Sequence, residues 1–180
     1  MTTSNLDTLI ATNAALLRQA EALLRTLTDE VYGTVPQGMA PHRAGGHLRH
    51  ILEFYESFLD GLASGVVDYD ARKRDIPVER SCWAASARIR VTLRRLAAVS
   101  CDAALEVRME DAPEALRDCL LPSSVVRELQ VLSSHTVHHF ALLAMALRGH
   151  GVAVDPSFGM APSTLRYEAS KAARAMAEAA

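Results

Sequence analysis

One stretch constrains the fold more than any other: from Ser123 to Arg148 the chain contains neither glycine nor proline, and Gly149 and Gly151 then punctuate it. On a wheel of ~100° per residue, Val125, Leu129, Leu132, Thr136, Phe140, Leu143 and Leu147 fall on one side. A helix of this length with one apolar stripe is stable only where other elements cover the stripe. Three further runs have the same character. One spans about Asn5 to Glu30, opening on Ser4 and Asp7 as a capping pair and carrying Leu6, Leu9, Ile10, Leu16, Leu17, Leu23, Leu24 and Leu27. A second spans about Ala44 to Ala63, with Leu48, Ile51, Tyr55, Phe58 and Leu62 as its stripe. A third spans about Pro77 to Val99, with Trp83, Ile89, Leu93 and Leu96 inward and Arg88, Arg90, Arg94 and Arg95 on a solvated face. Four amphipathic helices predict an all-α chain, a four-helix bundle.

Two connections stand out. "SGVVDYDARKRDIP" after the second helix is long and charged, and such loops are more often functional than idle. In "ALEVRMEDAPEALRDCLLPSS", Leu105, Val107 and Met109 alternate with charged residues and Asp111–Pro113 offers a turn, so a short β-hairpin is expected between the third and fourth helices. Residues 1–165 read as one domain, and the alanine-rich 166–180 as a tail, helical or disordered.

The chain has 180 residues and a formal net charge of −2, which gives no reason to expect nucleic acid or a membrane surface as a partner. Cys82, Cys101 and Cys119 are odd in number and widely spaced, as for reduced, packed thiols rather than a disulfide framework. No run approaches the ~18 apolar residues of a membrane span, and "MTTSNLDTLI" lacks a signal peptide's basic start. A cytoplasmic, soluble domain is the expectation.

The chemistry lies in the histidines, seven in all. His135 and His139 are one turn apart, about 40° from each other on the wheel and at or inside the apolar stripe, so both can reach one ion. His138 lies farther round, toward solvent or a subunit partner. H-x-x-x-H by itself is a common chance pattern, and a buried histidine is often only hydrogen-bonded. A third imidazole is needed, and "HRAGGHLRH" supplies His47 and His50 at the start of the second helix. The wheel favours His47, which lies closer to the stripe. His42 and His150 fall in loops and should face water.

A histidine near the start of helix two followed by H-x-x-x-H in helix four resembles the DinB/YfiT-like family, and the resemblance extends over "HLRHILEFYESFL", "VDYDARKRD", "RELQVLSSHTVHHFALLA" and "FGMAPSTLRY". It implies a DinB-like four-helix bundle with a metal held by His50, His135 and His139, leaving His47, with His138, as an outer partner or alternate ligand. Register and wheel thus disagree about helix two. Ala44-Gly45-Gly46 departs from the family pattern, and two glycines weaken a helix by ~1 kcal/mol each, so a loose helix start is expected.

Three neutral imidazoles leave coordination positions open on a divalent ion: zinc or nickel first, iron or cobalt next. The resemblance implies a metal-dependent enzyme, a thiol-dependent transferase or a hydrolase, whose partner is a small-molecule substrate or a low-molecular-weight thiol. The alternative is a non-catalytic, stress-associated or metal-binding protein. A homodimer is expected. Glu128, in the angular sector of His135 and His139, is the candidate catalytic base, against the simpler role of a helix N-terminal carboxylate. Asp70, Arg72 and Arg74, with Asp68, are candidate substrate-binding groups in the long loop, where arginine forks suit a carboxylate.

Overall fold

A computed structural model describes residues 4–71, 73–108 and 119–178. The described chain is mainly helical: α1 (Asn5–Leu24), α2 (Asp29–Gly33), α3 (Ala44–Gly61), α4 (Ile76–Arg80), α5 (Cys82–Ala97), α6 (Val125–Gly149) and α7 (Pro162–Glu178). Three short strands, β1 (Val66–Asp68), β2 (Ala104–Arg108) and β3 (Leu120–Ser124), make one small sheet.

The long helices begin where side chains satisfy their orphan amides. Ser4 accepts from Asp7 N and donates to the Asp7 carboxylate, and Ser124 accepts from Arg127 N. Two of the four expected helices, the first and the third, are each broken. The first stops at Leu24, because Thr28 opens a new turn by accepting from Val31 N. The third is α4 plus α5, since Asp75 caps one and Ser81 caps the other. Pairs of long helices pack as α3 on α6, α1 on α6, α1 on α5 and α3 on α5, a closed ring around Leu17, Ile51, Tyr55, Ile89, Leu132 and Phe140.

The expected hairpin is present as β2 and β3, antiparallel with Leu105 opposite Ser123, while Met109 and the Asp111–Pro113 turn lie outside the described residues. β1, in the long charged connection, pairs parallel with β2, Val67 opposite Val107. It ties that connection to the hairpin.

Three expectations are corrected. Trp83 is 78% exposed, because the break at Ser81 re-aims the start of α5. The arginine face of α5 is not simply solvated: Arg88 pairs with Glu56 and Asp75, Arg90 with Glu21 and Arg95 with Asp60, clamping α5 to its neighbours. The α3 start is closely packed rather than loose. Ala44 and Gly45 are buried, and a Cβ on Gly45 would stand 1.9 Å from the Glu79 carbonyl oxygen, so only glycine lets α4 lie against α3 there. Of the cysteines, Cys101 is exposed while Cys82 and Cys119 are half-buried. Burial and the neighbouring Asp29 push the Cys82 thiol up to about 12, so it is unreactive. No helix of the described residues is long and apolar enough to cross a membrane.

Candidate metal centre

Packing of α3 along α6 brings His50 against His135 and His139, with one nitrogen of each ring within 4.8 Å of the others. Ring centroids are 4.9 Å apart for His50 and His135, 4.5 Å for His50 and His139, and 4.4 Å for His135 and His139. All three are half-buried. Phe54, one turn beyond His50, fixes two of the rings: it stacks on His135 at 4.0 Å and meets the His50 ring edge-on at 4.6 Å. Sequence reasoning missed it, although its i+4 relation to His50 places it on the same helix face.

His139 is held uncharged at neutral pH. Burial first, then the neighbouring His135, His47 and His138, push His139 down to about 3. His47 is lowered in the same way, by burial and then by His42 and His138. A neutral imidazole keeps a lone pair, and a lone pair is what a metal ligand needs. Three imidazoles converging from two helices fit one divalent ion, with ligand distances of ~2.0–2.1 Å.

His47 takes a different place. Its Nδ1 lies 3.1 Å from Nδ1 of His139, and its Nε2 lies 3.3 Å from Nδ1 of the exposed His42, whose ring stacks on it at 5.3 Å. Each of these nitrogen pairs shares one proton. The contact occupies His139 Nδ1 and leaves Nε2 for the cluster. With Nε2 carrying the lone pair, His139 Nδ1–H donates to His47 Nδ1, and His47 Nε2–H donates to His42 Nδ1. His138 is exposed and meets the His139 ring edge-on at 5.0 Å. His42 therefore faces water but is tied to His47, and His150, half-buried, holds the Thr34 carbonyl at 3.2 Å.

Glu128, in the first turn of α6, is 5% exposed and stands apart from the imidazole trio. Its two oxygens accept from Tyr69 Oη at 2.7 Å and from Ser123 Oγ. The Tyr69 phenol is driven above its ordinary range, chiefly by burial and then by the Glu128 carboxylate. Tyr69 stacks on Phe54 at 4.8 Å, so an aromatic staircase joins Glu128 to His135. Beside this staircase lies a hollow of about 550 Å³ between β2, β3 and α6, with Tyr69, Asp70, Arg108, Arg127 and Glu128 among its lining. A second hollow of about 340 Å³, lined by Arg127, Gln130, Val131, Ser134 and His135, adjoins the trio. Of the loop residues singled out in the sequence, Asp70 lines the larger hollow, and Asp68 holds the amides of Asp70 and Ala71 at 3.0 Å. Arg74 is exposed in a left-handed turn with φ 51°, and Arg72 lies outside the described residues.

Comparison with known proteins adds one likeness. The chain is 34% identical over 105 residues to FK506-binding protein 5 of Rhizopus delemar, an alignment covering 57% of this chain and 27% of that protein. The chain thus spans about a quarter of the length of the curated relative it matches. No family model matches the chain. No solved structure matches it either.

Proposed function

We propose that the ring of α1, α3, α5 and α6 is a DinB-like four-helix bundle and that the protein is a metal-dependent enzyme. His50, His135 and His139 would hold one divalent ion, zinc or nickel first, iron or cobalt next. The observation that carries this reading is the convergence of three imidazole nitrogens from two helices within 4.8 Å. An ion so held supplies Lewis acidity, able to acidify a water or thiol or to polarise a carbonyl. The chain's own residues do the rest. Phe54 fixes the planes of His50 and His135, His47 selects the His139 tautomer, and the hollow reaching His135 admits a small molecule. A hollow open at the ligands supports a catalytic reading over a closed, structural site. Thiol transfer or hydrolysis is the reaction class.

The test is a titration of purified, chelator-treated protein with zinc and nickel, followed by thiol addition. One ion per chain is expected, lost in His139→Ala, with a nickel absorption spectrum that shifts when a thiol or other small ligand enters. Protein that takes up no divalent ion refutes the reading.

A second reading is a non-catalytic metal-binding protein that dimerises. It is favoured by α7, where Leu165, Tyr167 and Met176 are exposed on a helix whose described side chains are otherwise exposed as well. A bound ion whose spectrum ignores every added ligand, in a protein that sediments as a dimer, would select it.

A further inference from the structure

The two hollows share Arg127 and Val131, so they form one cleft that starts at His135 and widens toward the hairpin. Its larger chamber falls in the size range of small-molecule sites. Val107, Leu121, Pro122 and Val131 make its walls apolar, and the Tyr69 ring adds an aromatic face.

The charged groups of the lining differ in what they already hold. Glu128 accepts from Tyr69 and Ser123 through both oxygens, which leaves it little call for an incoming cation. Arg108 is bridged to Asp68 at 3.5 Å, and both Arg108 and Asp70 have other contacts besides. Arg127 is different. Elsewhere Arg49, Arg88, Arg90 and Arg95 each grip a carboxylate at 2.6–2.9 Å. Among the described residues the Arg127 side chain has only a 3.4 Å contact with Gln130, near the outer limit of a hydrogen bond. Arg127 nonetheless lines both hollows, so it stands where they meet. A guanidinium presents a planar fork of donors that matches a carboxylate, and an apolar wall strengthens that pairing by excluding water.

From this we infer that the cleft binds a small carboxylate with an apolar body: the carboxylate on Arg127, the body against Val107, Leu121, Pro122 and Val131, and the end nearest the carboxylate facing His135. The inference takes from the proposed function only the ion at His135. It moves the anion-binding role from the long charged loop, where the sequence placed it, to the first turn of α6.

The experiment uses matched probes: benzoate, phenylacetate and 4-phenylbutyrate, each against its neutral amide. Binding is measured by calorimetry on metal-free and on zinc-loaded protein, with methyl NMR to locate the probe. In both forms at least one carboxylate should bind roughly tenfold or more tightly than its amide, the worth of one charge-assisted contact. Shifts should centre on Val107, Leu121 and Val131. Arg127→Leu, at an exposed position that leaves the fold intact, should abolish the preference, and Arg127→Lys should keep part of it. Equal affinity of acids and amides overturns the assignment. So does a preference that survives Arg127→Leu, or the absence of saturable binding across the series. A preference dependent on Arg127 in protein that takes up no zinc would refute the metal reading and leave the cleft assignment standing.

Discussion

Two polar clusters lie where α3 meets α6, the first reaching across to α1, and they are satisfied in opposite ways. In the first, Asn13 donates to the Leu9 and Leu129 carbonyls at 2.8 and 2.9 Å and accepts from Tyr55 Oη at 2.7 Å. Thr136 adds its hydroxyl, bonded to Tyr55 Oη and to the Leu132 carbonyl. Asn13, Tyr55 and Thr136 are all at 0% exposure. Donors and acceptors are complementary, so the cluster is complete and needs no ligand. In the second, His50, His135 and His139 face one another with like chemistry, and burial, then neighbouring imidazoles, push His139 toward neutrality. Three imidazole nitrogens brought together suit a cation far better than they suit each other. A buried polar cluster is thus read as structural or functional by whether its own members complete it.

The sharpest way to break the comparison is to remove a member of each. His139→Ala or His135→Ala should lower divalent-ion affinity by at least about 100-fold, more than the loss typical of an outer partner, in competition against a chelating dye. Metal-free stability should change by less than ~1 kcal/mol, since a half-buried imidazole contributes little to packing. Asn13→Ala should do the reverse. It removes the acceptor of the buried Tyr55 hydroxyl and the second donor to the Leu129 carbonyl, costing ~1–3 kcal/mol in urea unfolding with ion affinity unchanged. If Asn13→Ala also costs metal binding, the two clusters are one cooperative unit and the distinction fails.

A finer cut lies at His47, which touches His139 without joining the trio. His47→Leu should weaken ion binding by ~10–100-fold, as removal of a ligand's hydrogen-bond partner does. His47→Gln, whose carbonyl can still accept from His139 Nδ1–H, should retain most of the affinity. Nitrogen-15 spectra of the zinc-loaded protein should then show His139 protonated at Nδ1. Equal affinities for wild type and His47→Leu would reduce the contact to packing.

His47 also shows how far the sequence could go. The spacing of His135 and His139 was readable, because i and i+4 share a helix face whatever lies opposite. The choice between His47 and His50 was not, because both fall near the stripe of one short helix. Which faces α6 depends on how α3 is rotated and tilted in its packing. Gly45 contributes to that tilt by admitting the Glu79 carbonyl, a contact with a residue 34 positions away that no local pattern announces. The four apolar stripes were legible for the same reason as the histidine pair. β1 was not: three residues, Val66–Asp68, are too few to show alternation, and their pairing with β2 is long-range. Trp83 failed because its helix restarts at Ser81, which shifts the wheel. Arg127 was invisible as a binding group because its isolation is a fact about neighbours, not about sequence.

The smallest effects separate the clusters by pH. His139 is held at about 3, against an ordinary value of 6.5. Between those values the unfolded chain binds a proton that the folded chain refuses. Stability is therefore full above about 6.5 and falls as the pH drops toward 3. Tyr55 is shifted the other way, raised by burial from an ordinary 10.0. There the unfolded chain loses a proton that the folded chain keeps, so stability is full below 10 and falls as the pH rises. One seam thus weakens in acid through its imidazoles and in alkali through its phenol. Melting curves of metal-free protein should show the acid slope reduced in His139→Asn between pH 6.5 and 5, above the range where most carboxylates titrate. Tyr55→Phe should reduce the alkaline slope only in part, because burial also raises Tyr32 and Tyr69. Saturating zinc should flatten the acid limb and leave the alkaline limb alone, because only the imidazole cluster trades protons for an ion. An acid limb indifferent to both zinc and His139→Asn would mean that the histidines are ordinary surface groups, and the contrast between the clusters would collapse.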